Sequence, residues 1–157
     1  MKDILAYYTS HSPFTDPGPY AYLYDDLPGR PDELAGIIHG LLLHKLVADY
    51  YKVTLGRVQR AEQFLRTVEQ RLAKLMEVDP APLITPREPQ QRQVGMCRYF
   101  ALLHVSILRH KGIPARMRVG FAKYLDRKGT RIIDHWIAVV CNGDQSRWVV
   151  TDPQIYV

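Results

Sequence analysis

The sequence predicts an α+β fold in which one buried helix packs on an antiparallel sheet, with an additional pair of helices before it. Three observations carry this. Apolar residues recur at helical spacing from Leu34 to Leu46 and again from Val58 to Met76. The stretch after Met96 is apolar around most of its circumference, as a central helix must be. From Ala115 onward the apolar period changes from 3.6 to two.

The chain has 157 residues, enough for one domain with a real core. We read residues 1–93 as an aromatic segment, the helical pair and a connector, and residues 94–157 as a catalytic core. Residues 1–30 hold many tyrosines and prolines, and the rings require a core to dock on. The segment is expected to wrap the surface, with a short strand where Tyr20, Tyr22 and Tyr24 alternate. Pro31, Asp32 and Glu33 open the first helix, which the spacing extends to about Tyr51. The second runs from about Leu55 to Glu77, antiparallel to the first. His39 and His44 stand five apart, a poor spacing for two ligands, and read as ordinary helix histidines. Four prolines between Asp79 and Gln93 mark an irregular connector.

The central helix starts near Cys97. It ends where Gly112 suits a left-handed cap, Ile113 can fold back and Pro114 forbids continuation. Ala115, Met117, Val119 and Phe121 form the apolar face of the first strand. Asp126-Arg127-Lys128-Gly129 makes a turn, 132–141 a central strand, Asn142-Gly143-Asp144 a second turn, and 148–152 the third strand.

The net charge is +5, but the basic residues are scattered among acids rather than clustered, so nucleic-acid binding is not expected. No apolar run reaches the roughly 18–20 residues that span a bilayer. The N-terminus lacks the long apolar stretch of a signal peptide, so the cytoplasm is the expected location. Two cysteines, neither in a CxxC pair, make neither a disulfide framework nor a zinc knuckle.

Chemistry centres on Cys97. Only a thiolate attacks well, and a helix N-terminus offers unpaired N–H groups and a partial positive charge. A histidine beside it can form an ion pair, and a carboxylate behind can fix that ring. His135 and Asp152 suit these roles. With an even-numbered loop between their strands they share one face. A two-residue loop at Gly143-Asp144 sets them opposite, and a two-residue loop at Asn142-Gly143, or a four-residue loop, displaces the pairing by two. Alone, Cys97 would read as a small buried hydrophobe and Asp152 as a turn residue before Pro153. The combination is far more specific. Cys141 reads as core.

The stretch VGMCRYFALLHVSILRHKGIPARMRVGF, then DHWIAVV, then RWVVTDPQ, resembles the core of the transglutaminase-like superfamily, a papain-like fold. The likeness is strong over about 94–154. The upstream part, with SHSPFTDPG and the helical pair, is looser and similar to a bacterial subgroup. By position it implies Cys97 as nucleophile, His135 as general base and acid, and Asp152 as the orienting carboxylate. The activity implied is a hydrolase of cysteine-protease type or a transferase. Many relatives carry an acid where this chain has Tyr99. For the oxyanion, the Cys97 N–H is the first donor. Gln91, six residues upstream at the spacing papain-like proteases use, is a candidate for the second, with Gln93 also near. Trp136 and Trp148 pack in the core or line an acyl tunnel. No cofactor or metal is expected. The expected partner is a peptide or amide substrate, and another copy of the chain could complete the edge of the sheet.

Overall fold

The computed structural model describes residues 2–126, 128, 130–142 and 147–155. Helix α1 (Lys2–Thr9) is followed by a 3-10 turn, Gly18–Tyr24. Then come α2 (Pro31–Leu41), β1 (Leu42–His44), α3 (Arg57–Ala61), α4 (Val68–Val78) and β2 (Gln93–Gly95). The core follows with α5 (Cys97–His110), β3 (Ala115–Ala122), β4 (Ile133–Cys141) and β5 (Trp148–Thr151).

The α+β expectation holds. Helix α5 packs on the antiparallel sheet β3-β4-β5. Every residue from Tyr99 to Leu108 is buried. The helix ends as expected: Gly112 sits at φ +72°, its N–H bonds the Arg109 carbonyl, and the Ile113 N–H bonds that of Leu108. Helices α2 and α4 each pack against α5. Leu34, Ile38 and Leu41 from one and Val68, Leu72 and Leu75 from the other complete its apolar shell.

The N-terminal segment does wrap this core, held by the Ser106 hydroxyl, which donates to the Thr15 carbonyl and bonds the Tyr24 hydroxyl. Two details differ from expectation. Residues 2–9 are helical, and the stretch with three alternating tyrosines is a 3-10 turn rather than a strand. Pro17 and Pro19 set the entry to that turn, and Tyr24 is drawn into the core.

Both long helices break. The first ends at Leu41, ten residues early, because Leu42, Leu43 and His44 pair in parallel with Gln93, Val94 and Gly95. Leu46, placed on the apolar stripe by its spacing, is 75% exposed. The second breaks at Leu65-Arg66-Thr67. Thr67 Oγ1 accepts the Gln70 N–H and Gln70 Oε1 accepts the Thr67 N–H, a capping box that restarts the helix.

Arg71, fully buried, fills the break. Its guanidinium donates to the carbonyls of Glu62 and Leu65 and, at 2.6 Å, to Gln93 Oε1. It lies 3.4 Å over the Tyr99 ring. The proline-rich connector is organised by Arg87, which donates to four carbonyls and pairs with Asp79 at 3.1 Å.

In the sheet, Ala115 and Met117 face the core, but Val119 and Phe121 are 52% and 78% exposed, contrary to expectation. Helix α5 runs alongside the sheet from Cys97, beside Trp136, to Arg109, whose Nε donates to the Ala115 carbonyl. Val119 pairs with Trp136, so the outer end of β3 extends past the helix. Pairing of Ala138 with Thr151 and Cys141 with Trp148 gives the register displaced by two. The two turns lie in part outside the described residues. No helix among the described residues is long and apolar enough to cross a membrane.

Candidate active site

Cys97 is the first residue of α5, with Met96 in extended conformation before it. The short parallel pair β1-β2 delivers the chain to that point. Gly95, two residues before the thiol, does not adopt a positive φ. It is the last residue of β2, and a Cβ there would lie 3.4 Å from the Tyr99 ring. Tyr99 is itself fixed, stacked on Arg71 and donating its hydroxyl to the Gln63 carbonyl at 2.8 Å. The residue that departs from the common family pattern is therefore a packing element beneath the thiol.

His135 and Asp152 are both buried and in contact, with His135 Nε2 at 2.6 Å from Asp152 Oδ2. Asp152 Oδ2 also accepts the Tyr124 hydroxyl at 2.9 Å, and Oδ1 accepts the Gln154 N–H at 3.0 Å. The Tyr124 ring stands edge-on to His135, 6.0 Å between centroids. With Nε2 engaged, Nδ1 is the ring atom left for the thiol, and the nearness of Cys97 helps to raise the His135 pKa. Strand β5 ends at Thr151, so residues 133–137 of β4 lack a strand partner on that side among the described residues. There the Trp136 backbone N–H meets the Cys97 sulfur.

A second histidine also reaches the sulfur. His44, buried at the end of β1, lies near enough to Cys97 to help lower its pKa. Its Nδ1 accepts the Leu46 N–H at 3.3 Å. In its neutral form the ring therefore carries its proton on Nε2, the atom left to donate to sulfur. Sequence reasoning missed His44 and Tyr124. The capping box Thr67-Val68-Glu69-Gln70 was a legible sign that the second helix breaks, but no local signal marks either site residue.

These contacts separate the two proton affinities. Burial alone would raise the Cys97 pKa, but hydrogen bonds from His135, His44 and the Trp136 N–H, with the His135 charge, bring it down to about 6. Burial would lower that of His135, but its bonds to Asp152 and Cys97 raise it to about 9. For Asp152 the upward push of burial is overcome by His135, then Tyr124, and its carboxyl falls below the usual range. Tyr124 is pushed up by burial and by Asp152, so it stays a phenol donor. Between these values the favoured state is a thiolate beside an imidazolium. His104, seven residues and about 10 Å along α5 from Cys97, is kept neutral by burial, its pKa lowered to about 4.

The sequence model of the transglutaminase-like superfamily matches residues 48–153. The chain belongs to that superfamily. The match begins well before residue 94, so it takes in α3, α4 and the connector as well as the sheet. No curated protein and no solved structure gives a significant match.

Within this transglutaminase-like core the remaining candidates fall apart. Gln91 ends a 3-10 turn with its side chain exposed and without a hydrogen bond from its amide among the described residues. The Gln93 amide is committed to Arg71, accepting from Nη1 and donating to the backbone carbonyl. Trp136 is half-buried and lines the cleft of about 520 Å³ that holds Cys97, together with Phe64 and Arg98. Trp148 lies elsewhere, against Tyr8. Cys141 is a buried free thiol paired across the sheet with Trp148.

Proposed function

We propose that this transglutaminase-like chain is a cysteine enzyme that transfers acyl groups, as an amidase or peptidase-type hydrolase or as a protein-glutamine acyltransferase. The observation that carries the reading is the buried His135–Asp152 pair, 2.6 Å apart, with Cys97 near enough to perturb the His135 pKa. The Cys97 thiolate attacks the amide carbonyl and a C–S bond forms. His135 gives its proton to the leaving amine as the C–N bond breaks. The neutral ring then takes a proton from water or an acceptor amine, which attacks the thioester and releases Cys97. The oxyanion is met by the Cys97 N–H and by His44 Nε2, which replaces Gln91 as the second donor.

Iodoacetamide labelling followed across pH by intact mass tests the nucleophile. Cys97 should label with a midpoint near 6 and far ahead of buried Cys141. Equal rates at the two cysteines would refute the enzyme reading and leave a silent binding module on the same fold.

His44 has its own test. His44→Phe should raise the pH at which Cys97 becomes reactive and slow acylation by roughly ten- to a hundredfold, with His44→Gln retaining more activity because it keeps a donor. Unchanged acylation in His44→Phe, measured by single turnover, would remove His44 from the mechanism.

A further inference from the structure

The cleft beside Cys97 has a composition the chemistry above does not require. A second cavity of about 580 Å³ lies between α1, α5 and the start of β3. Four guanidinium groups line it, from Arg66, Arg98, Arg109 and Arg116, and no carboxylate does. Elsewhere Arg30, Lys74 and Arg87 are paired with acids, but none of these four makes an ion pair among the described residues. Arg116 is held over the rings of Tyr8 and Trp148, at 5.5 and 4.8 Å, and its buried Nε has no acceptor. Arg109 spends Nε and Nη1 on the carbonyls of Ala115 and Ser10 and keeps its charge despite burial that disfavours it. Like charges converging on one cleft repel, and an anion relieves that repulsion.

Arg66, Arg98 and Trp136 line both this cavity and the cleft that holds Cys97. The two therefore adjoin, and a group held by the arginines lies near the thiol, while Asp134, which also lines the Cys97 cleft, disfavours a second carboxylate at that end. We propose that the cavity binds the substrate through carboxylates, so that the acyl donor is an acidic peptide segment. Planar guanidinium groups bind carboxylates in bidentate fashion. The apolar walls, Leu102, Val105 and Met117, suit the aliphatic stems of glutamate side chains. The preference for peptide over nucleic acid rests on the acyl chemistry proposed above.

Calorimetry on Cys97→Ser separates binding from reaction. Acetyl-tetraglutamyl amide should bind at least about tenfold more tightly than acetyl-tetraglutaminyl amide at low salt, with the margin shrinking at 0.5 M NaCl. Arg116→Gln should lose about tenfold of this preference. So should the double variant Arg66→Gln/Arg98→Gln, whose residues are exposed, with an unchanged urea midpoint showing that the fold is kept. Equal or absent binding of the two peptides, or a preference intact in both variants, would overturn the proposal. Tighter binding of an octathymidylate strand than of the glutamyl peptide would also overturn it. Iodoacetamide labelling of the wild-type chain reports separately on the nucleophile, so failure of the cleft and failure of the enzyme reading are distinguishable.

Discussion

Replacing His135 with alanine should lower amide turnover by about 10³- to 10⁴-fold, the scale seen when a member of a nucleophile–base pair is removed. His135 is the largest source of the low Cys97 pKa after burial is overcome, and in the proposed mechanism it supplies the proton for the leaving group. Its loss should also move the labelling midpoint of Cys97 upward toward that of an ordinary thiol. The sign of the pH dependence follows from the two values. The Cys97 thiol is deprotonated above about 6, and the His135 ring is protonated below about 9. Acylation of the wild-type enzyme should therefore be bell-shaped, high between those limits. It should fall below 6 as the thiolate is protonated and above 9 as the imidazolium loses its proton. Presteady-state acylation rates across pH check both the window and its collapse in His135→Ala. A profile with one ascending limb near 8 to 9 in the wild type would contradict the ion pair.

Replacing Arg71 with methionine should destabilise the fold by about 3–5 kcal/mol, read from the urea midpoint at constant m. The guanidinium is fully buried, and burial drives its pKa down to about 10, yet it still carries charge at neutral pH. It satisfies the Glu62 and Leu65 carbonyls left by the break between α3 and α4, and it supports both Gln93 and Tyr99. Removing it takes the guanidinium from the Leu65 carbonyl and from Gln93 Oε1 in the interior, while the Glu62 carbonyl keeps the Leu65 N–H. Pairing Arg71→Met with Gln93→Leu should recover part of the loss, because one stranded partner goes as well. A change below about 1 kcal/mol would mean the break closes without it. Because Gln93 and Tyr99 flank the segment that carries Cys97, the same variant should also weaken acylation.

What the sequence by itself determined is the part of the molecule governed by near neighbours. The apolar circumference of 97–110, the Gly-Ile-Pro exit and the period-two strands are each contained in a short stretch, and each element is found where it was expected, although the outer half of β3 is exposed on both faces. The start of α5 at Cys97 and the shared face of His135 and Asp152 belong to the same class, since strand parity survives a shift of register by two.

The tertiary structure decided whatever depends on pairing across the chain. Leu42 to His44 continue a helical pattern in which Gly40 is the last glycine and no proline follows. They leave the helix only because residues 93–95, some fifty positions later, offer parallel strand bonds. That one pairing converts His44 from a helix histidine into a donor at the Cys97 sulfur. Tyr124 reaches Asp152 across 28 residues, and the four arginines of the cleft come from three separate segments, the break before α4, α5 and β3. Spacing along the chain carries no trace of such meetings, because backbone pairing and burial set their geometry rather than local propensity.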